Sequence, residues 1–326
     1  MTSTEQAVVV GAGVSGLTTA ACLAEAGWTV QVWSAEPPRS TTSVVAGAMW
    51  GPSFQEPMAK TMSWTNRSLE DFVALAGDPA TGVRMAPALT VGGPSGGEIP
   101  PQARSIPDLR PAEPDEVPEG FAGGSRATMP LVDMPRYLDH LVARVTGAGV
   151  EIHERTVHSL DEAADEAPVV ANCTGLGSRD LLGDTELEPV FGQSVVLSNP
   201  GLDLLFMELT MDAEWTSFFP HPTRVVCGGI RIPGRTDRTP DPDLTERILR
   251  RVRAIEPRLN DAELIEVETG LRPVRSAVRV EAEPLGNTRV VHNYGHGGNG
   301  VSLSWGCARE AAALAAQQRD EPAGRR

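Results

Sequence analysis

The 326-residue sequence has very little lysine, very little tyrosine and no long apolar run. Lys60 is the only lysine, so the basic residues are almost all arginines, and Tyr137 and Tyr294 are the only tyrosines. No apolar segment reaches the ~18 residues that a membrane helix needs. The net charge of -15 argues against nucleic acid or an anionic membrane as a partner, because both would repel the chain.

The four cysteines are scattered without any Cys-x-x-Cys pair, which predicts small buried thiols in a reducing compartment. The first residues, MTSTEQ, pass almost directly into an apolar run, which leaves no room for a signal peptide. The arginine bias is typical of a GC-rich coding sequence. From these features we expect a soluble, cytoplasmic, bacterial protein that is large enough for two domains.

The N-terminal segment has the pattern of a strand, a helix and a second strand. Ala7–Val10 is a short apolar run suited to a buried parallel strand, and Ser15–Ala26 carries apolar residues at helical spacing. Thr29–Trp33 is the second strand. The turn between the first strand and the helix is glycine-rich, and its residues are Gly11, Ala12, Gly13, Val14, Ser15 and Gly16.

These glycines fit a dinucleotide-binding turn. The first glycine permits the tight turn, the second lets the backbone approach a pyrophosphate, and the third allows close packing of helix on strand. A purely structural tight turn is the alternative. Such sites also place an acid near the end of the second strand to bind ribose hydroxyls. Glu36 is the candidate, although it could equally be a solvated surface glutamate.

Further elements follow from periodicity and composition. Residues from about Pro87 to Thr128 are rich in proline and glycine, which predicts an irregular lid or wrapping loop, and the polar tail from Gln318 to Arg326 is expected to fray. We expect Ser194–Ser198 and Val225–Ile230 to belong to a separate, more antiparallel sheet. The other predicted strands are Val150–His153, Val169–Cys173 and Arg289–His292, and the other predicted helices are Thr65–Ala76, Asp133–Gly147, Asp243–Ile255 and Val301–Gln317.

A second glycine-rich stretch, from His292 to Gly300, precedes the last helix. Its glycines indicate a backbone that approaches a ligand closely or takes positive φ, and the helix that follows directs its dipole at that ligand. His292 and His296 are four residues apart, but the glycines around them favour structural hydrogen bonding over metal ligation, so we expect no metal site.

Arg272 lies in the segment Leu271-Arg272-Pro273-Val274-Arg275, within otherwise apolar and acidic sequence. The planar fork of an arginine matches the two oxygens of a substrate carboxylate. Taken alone, such an arginine is more often a surface ion pair.

Together these segments resemble the D-amino acid oxidase family, in an order that covers the chain from Val8 to about Leu314. The run from His292 to Gly300, followed by Trp305-Gly306-Cys307-Ala308, resembles the signature of that family almost position for position. The segment around Arg272 resembles the one that bears its carboxylate-binding arginine. The stretches that resemble other cofactor-contacting segments are Thr41-Thr42, Ala46-Gly47-Ala48-Met49-Trp50, Val157 and Asn172-Cys173-Thr174-Gly175.

The resemblance implies an α/β fold with an FAD-binding Rossmann-like domain and a discontinuous, mostly antiparallel β-sheet substrate domain. The expected boundaries are 1–50, 140–190 and 268–326 for the FAD-binding domain, and 51–139 and 191–267 for the substrate domain. It also implies FAD as cofactor. The residues expected to bind it are Gly11 to Gly16, Glu36, Thr41, Thr42, Ala46 to Met49, Val157, Thr174, Gly297, Gly298, Asn299, Gly300, Val301 and Ser302.

In the implied mechanism Arg272 binds the substrate carboxylate and the backbone carbonyl of Gly298 accepts from the amine. The family usually places tyrosines in the substrate domain to bind the carboxylate, and this chain has none there. Ser217 falls at the nearest tyrosine position, counting back from Gly228-Gly229, so Ser217 or Trp215 is expected to fill the role.

The activity implied is oxidative deamination of a D-amino acid to the 2-oxo acid, with ammonia and hydrogen peroxide as products. The expected partners are a small amino acid and molecular oxygen, with a homodimer left open. Two alternatives remain. One is a flavin dehydrogenase, or an oxidase of glycine or of another secondary or imino amine such as a biosynthetic intermediate. The other is a non-catalytic dinucleotide sensor.

Overall fold

The computed structural model describes residues 5–92 and 103–317. Within these ranges the chain forms fourteen strands and seven α-helices, joined by short 3-10 turns. The strands are β1 (Gln6–Val10), β2 (Thr29–Ser34), β3 (Val83–Gly92), β4 (Arg110–Pro111), β5 (Gly124–Val132), β6 (Glu151–Glu154), β7 (Val169–Asn172), β8 (Glu188–Ser198), β9 (Leu205–Leu209), β10 (Glu214–Pro220), β11 (Arg224–Ile230), β12 (Ile232–Pro233), β13 (Leu264–Leu285) and β14 (Thr288–His296). The helices are α1 (Val14–Glu25), α2 (Met58–Leu75), α3 (Met134–Gly147), α4 (Leu160–Ala164), α5 (Ser178–Leu182), α6 (Pro242–Ile255) and α7 (Gly300–Ala316).

The dinucleotide-binding half is a parallel arrangement of five strands. β1 lies between β2 and β7, while β6 pairs with β2 and β14 pairs with β7, all in parallel. Val8, Val9 and Val10 of β1 are almost fully buried, as expected for a strand covered on both faces. The predicted strands at 7–10, 29–33, 150–153, 169–173 and 289–292 are therefore confirmed, although β14 continues four residues further, to His296.

The prediction of a separate antiparallel sheet is wrong in one respect. The antiparallel strands continue the sheet that the five parallel strands begin. β8 and β11 pair antiparallel, and β13 joins them to the parallel half. The 22 residues of β13 pair with β8 over Leu264–Val274 and with β14 as far as Leu285. The reason is length: β13 spans both halves, and the sequence patterns predicted no strand over this segment.

The predicted irregular stretch from Pro87 to Thr128 is also partly wrong. β3 and β5 pair antiparallel from Val83 with Val132 to Val91 with Gly124, so both ends of this stretch are regular sheet. Pro87 and Pro130 both lie inside this ladder, opposite Thr128 and Met85. Residues 93–102 of the predicted loop, the first four residues and the predicted frayed tail 318–326 lie outside the described residues.

Helices α1, α2, α3 and α7 cover the parallel half and close one core over it. Trp50, Tyr137 and Trp305 are fully buried in this core, and the indole Nε1 of Trp305 donates to the Tyr137 hydroxyl at 2.8 Å. The predicted helices are confirmed, although α2 begins at Met58, seven residues before the predicted start. The four cysteines are free and buried. Among the described residues, no helix is long and apolar enough to cross a membrane.

Candidate active site

A single continuous cavity of about 2130 Å³ runs along the junction of the two halves of the sheet. One end is lined by the glycine-rich turn after β1, the end of β2 and Thr174 after β7. The other end is lined by inward-facing residues of β8, β10, β11 and β13, together with the loop before α7. Its volume exceeds the ~300–1,000 Å³ of ordinary small-molecule pockets, so it offers room for an extended dinucleotide and a small substrate together.

The glycine-rich turn is possible only without side chains at two of its positions. A Cβ added at Gly11, whose φ is +110°, would lie 2.5 Å from the carbonyl oxygen of Cys173. A Cβ at Gly16 would lie 1.8 Å from the carbonyl oxygen of Gly11. Gly11 and Gly13 line the cavity, whereas Gly16 lies behind the turn and lets α1 pack onto the strand. This division matches the different tasks of the glycines in a dinucleotide-binding turn.

The remaining predicted cofactor positions are brought together on the same cavity. They come from five separate segments of the chain, which the fold places along one wall and around one end. The ones that line the cavity are Ala12, Val14, Ser15, Glu36, Thr41, Thr42, Ala46, Gly47, Ala48, Met49, Val157, Thr174, Gly297, Gly298, Asn299, Gly300, Val301 and Ser302. Glu36 is exposed, and its backbone carbonyl accepts from Ser34 Oγ at 2.7 Å, so its carboxylate is free to meet a ligand hydroxyl.

Two helices begin at the cavity, and of the N–H groups in their first turns only that of Val14, at the start of α1, donates to a side chain among the described residues, to Ser43 Oγ at 2.9 Å. Gly13 precedes α1 and Asn299 precedes α7, and neither cap residue makes a side-chain hydrogen bond to its helix. Uncapped N–H groups and the helix dipole together create positive potential at each end. This potential suits the pyrophosphate at α1 and the electron-accepting edge of a flavin ring at α7. The residues present therefore fit FAD.

The two histidines of the C-terminal motif are used in hydrogen bonds. His292 Nε2 lies 2.8 Å from Glu283 and its Nδ1 lies 3.3 Å from the amide of Asn172. His296 Nε2 lies 3.0 Å from Asn293 Oδ1, and its Nδ1 faces Ser15 Oγ at 3.5 Å. Burial lowers the pKa of His296 to about 4, so it is neutral at pH 7. His296 thus ties the glycine-rich loop to the N-terminal turn, whereas His292 ties β14 to β13 and to the end of β7.

Arg272 reaches into the substrate end of the cavity without a carboxylate partner among the described residues. Its Nη1 donates to the carbonyl of Ile230 at 3.0 Å and more weakly to that of Phe191 at 3.4 Å. Burial, with a smaller contribution from the nearby charge of Arg231, lowers the pKa of Arg272 to about 10. The guanidinium therefore stays charged at neutral pH. A positive charge held in this way attracts an anionic ligand.

The backbone around Arg272 is shaped to admit its side chain. A Cβ at Gly192 would lie 2.3 Å from Arg272 Nη1, so only glycine leaves room for the guanidinium on the adjacent strand. A Cβ at Gly298 would lie 3.8 Å from Arg272 Cδ. The loop before α7 and the arginine are therefore direct neighbours, as the predicted substrate site requires.

Ser217 and Trp215, the predicted replacements for the tyrosines, both line the same end. Ser217 is buried and pairs with Gly228 across β10 and β11, and a Cβ at Gly228 would lie 3.4 Å from its hydroxyl. Trp215 lies over Gly229, where a Cβ would come within 2.3 Å of the indole ring. The hydroxyl and the indole therefore both face the cavity beside Arg272.

Sequence reasoning missed three residues of this end: Gly192, Arg231 and Glu268, all of which line the cavity. Burial raises the pKa of Glu268 to about 7, although Arg224 lies 3.9 Å away and opposes the shift. Burial is the larger effect, because the guanidinium lies at the outer limit of an ion pair. Arg231 comes two residues after Gly229, directly after β11, and an arginine after such an apolar strand was the signal available in the sequence.

Comparison with known proteins agrees with this geometry. A family model described as FAD dependent oxidoreductase matches residues 6–314. A D-amino-acid oxidase of Rubrobacter xylanophilus is 44% identical over 311 residues, covering 95% of each chain. A D-amino-acid oxidase of Streptomyces coelicolor is 44% identical over 315 residues, covering 95% of this chain and 96% of its own. The crystal structure of glycine oxidase from Bacillus cereus shares the fold, with a TM-score of 0.76 at 20% identity over 95% of this chain and 94% of its own.

Proposed function

The chain belongs to the family of FAD dependent oxidoreductases, and from that premise we propose that it deaminates a D-amino acid oxidatively to the 2-oxo acid. The observation that carries the proposal is Arg272, a cavity-lining guanidinium that has no carboxylate partner among the described residues and is a direct neighbour of Gly298. The preference for the D-enantiomer is supported by the two relatives that are 44% identical and named D-amino-acid oxidase.

In the proposed arrangement FAD lies extended along the cavity. Its pyrophosphate is held by the backbone of Gly11 to Ser15 at the start of α1, and Glu36 binds the ribose hydroxyls. Ala46–Met49 and Gly297–Ser302, which line the cavity near the start of α7, would hold its ring. Residues 1–50, 140–190 and 268–326 then form the cofactor-binding part of the chain, and residues 51–139 and 191–267 form the substrate part.

The substrate is proposed to bind through its α-carboxylate and its α-amine. The fork of Arg272 binds the carboxylate in a bidentate pair, and the carbonyl of Gly298 accepts a hydrogen bond from the amine. Ser217 donates its hydroxyl to the carboxylate where the related enzymes use a tyrosine, and Trp215 covers the outer side. These contacts fix the orientation of the Cα–H bond, and orientation is the main contribution of this chain to the rate.

The overall reaction balances without a side chain that acts as a base, provided that the amine binds in its neutral form. The substrate loses a hydride from Cα and a proton from nitrogen, which gives the imino acid, and water then hydrolyses this to the 2-oxo acid and ammonia. FAD, when bound, supplies the two-electron acceptor. Molecular oxygen takes up the two electrons and two protons and leaves as hydrogen peroxide.

The proposed function is tested on the protein purified under native conditions. We expect a yellow protein whose visible flavin absorbance is bleached anaerobically by a D-amino acid and not by its L-enantiomer. In air, one peroxide should form per 2-oxo acid. A colourless protein that cannot be reconstituted with FAD, or a flavin that no D-amino acid bleaches, would refute the proposal. Bleaching without peroxide would instead identify a dehydrogenase.

Two further properties are proposed on chemical grounds. The four buried, free cysteines fit a reducing compartment, which supports a cytoplasmic location. Oxygen is proposed as the physiological acceptor because the relatives that are 44% identical are named oxidases.

A further inference from the structure

The substrate end of the cavity contains a second arginine whose hydrogen-bonding capacity is only partly used within the described part of the chain. Arg231 follows β11, and its Nη2 donates to the carbonyl of Thr210 at 3.1 Å. Its Nε is buried and has no hydrogen-bond partner. Because a buried guanidinium N–H without a partner is costly, such a group indicates a ligand that completes the site.

The guanidinium groups of Arg231 and Arg272 both lie near the indole ring of Trp215. The guanidinium carbon of Arg231 lies 4.8 Å from the centre of the Trp215 ring, and that of Arg272 lies 5.8 Å from the same centre. Gly229 positions this indole, since any side chain there would displace the ring. The distance between the two guanidinium carbons is therefore at most the sum of these two lengths. A short dicarboxylic acid spans such a gap when each carboxylate meets one guanidinium.

The acidic groups near this end do not neutralise the pair. Glu208 lines the cavity, but its Oε2 accepts from the backbone N–H of Thr216 at 2.7 Å, and it forms no ion pair with either arginine. Glu268 also lines the cavity, and burial raises its pKa to about 7, so its negative charge is only partial at neutral pH. This end of the cavity is thus positive in a chain whose net charge is -15.

We propose that Arg231 binds the side-chain carboxylate of the substrate, which makes acidic D-amino acids, of the length of D-aspartate or D-glutamate, the preferred substrate class. This inference rests on the proposed function and extends it. Arg272 binds the α-carboxylate, Trp215 lies next to both guanidinium groups, and Arg231 selects the side chain. A neutral side chain leaves the buried Nε of Arg231 without a partner, so discrimination comes from the unmet polar group as well as from the added ion pair.

The test compares acids with their neutral isosteres on the flavin-loaded enzyme. For the wild type we expect kcat/KM for D-glutamate or for D-aspartate to exceed that for its amide by at least about tenfold. In Arg231→Gln this ratio should fall to near one, mainly through a higher KM for the acid. Arg238→Gln is the matched control. Arg238 is an exposed arginine that lines the same cavity, and its substitution removes the same formal charge.

A second readout requires no turnover. Glutarate and its monoamide are titrated into the protein by calorimetry and by the visible flavin spectrum. Glutarate should bind at least about tenfold more tightly than the monoamide, and this advantage should vanish in Arg231→Gln. If that variant does not fold, Arg231→Lys, which keeps the charge and loses the planar fork, should show a reduced but measurable preference.

The outcomes separate this inference from the proposed function. Oxidation of D-glutamine and D-asparagine as efficient as that of the corresponding acids would overturn the acidic preference and leave the oxidase intact. An unchanged preference in Arg231→Gln would assign the arginine to stacking on Trp215 alone. If no D-amino acid bleaches the flavin, the oxidase proposal fails, and the glutarate titration by itself decides whether the arginine pair binds a diacid.

Discussion

Replacing Arg272 with methionine should weaken catalysis and strengthen the fold at the same time. The variant removes a bidentate pair with the substrate carboxylate. Hydrogen bonds to charged groups contribute about 1.5–3 kcal/mol each, so two of them amount to about 3–6 kcal/mol. At ~1.4 kcal/mol per decade, kcat/KM should fall by about 10²- to 10⁴-fold.

The expected gain in stability follows from the same side chain. Burial lowers the pKa of Arg272 from 12.5 to about 10, so the folded site disfavours the charged form by up to about 3 kcal/mol. Methionine removes this penalty but leaves the carbonyls of Ile230 and Phe191 without their donor, which costs about 1 kcal/mol or more. The net change should be about 1–2 kcal/mol in favour of the variant, seen as a melting temperature a few degrees higher.

Both quantities are measurable on one preparation. Peroxide-coupled kinetics give kcat/KM, and the release of flavin fluorescence on heating gives the melting temperature without substrate. Arg272→Lys is the control, since it keeps a charge but loses the fork, and it should lose activity without gaining stability. Activity within about threefold of the wild type would refute the substrate pose. A variant that loses activity and stability together would show that Arg272 supports the fold instead.

Three further predictions concern other parts of the site. Gly16→Ala should abolish native flavin binding, because its Cβ would lie 1.8 Å from the carbonyl oxygen of Gly11. The ratio of absorbance at the flavin maximum to protein concentration measures the flavin content, and a variant fully loaded with flavin would contradict the close packing at Gly16. The pKa of Glu268 is raised to about 7, so its stabilising contribution is complete below about pH 4.5 and is lost as the pH rises through 7. Glu268→Gln should therefore melt at a higher temperature than the wild type at pH 8 and lose this advantage by pH 5, whereas an equal difference at both values would refute the titration. Ser217→Ala should raise KM by about ten- to 150-fold with little change in kcat, as expected for the loss of one hydrogen bond to a charged group worth about 1.5–3 kcal/mol, and an unchanged KM would leave the tyrosine role to Trp215.

Local patterns in the sequence predicted the parts of the fold that depend on local physics. The strand-turn-helix order around Gly11 follows from apolar spacing and glycine, and the start of α3 follows from Asp133 and Pro135. The pairing of β3 with β5 was missed because its proline and glycine content concealed a strand whose partner lies far along the chain. Such pairings are set by tertiary contacts, which no short window contains.

The same limit explains which site residues were found. Arg272 and the glycine-rich turns occur in contiguous motifs, so the sequence predicted them. The importance of Arg231 depends on Trp215, which comes from the neighbouring strand β10, and on an Nε that only the folded chain buries. Gly192 likewise becomes necessary only because β8 places it beside the guanidinium of Arg272.

The long strand β13 has a mechanical consequence. Arg272 lies on β13, which pairs with β8 and, with one register shift between Val274 and Arg279, with β14, whose end carries the loop before α7. A hinge between the two halves would have to break this ladder, so the arginine and the loop should move as one rigid body. Substrate entry must then depend on displacement of the chain at the rim, such as the segment around the exposed Met211, and amides of β13 near Arg272 should exchange with deuterium far more slowly than those at the rim.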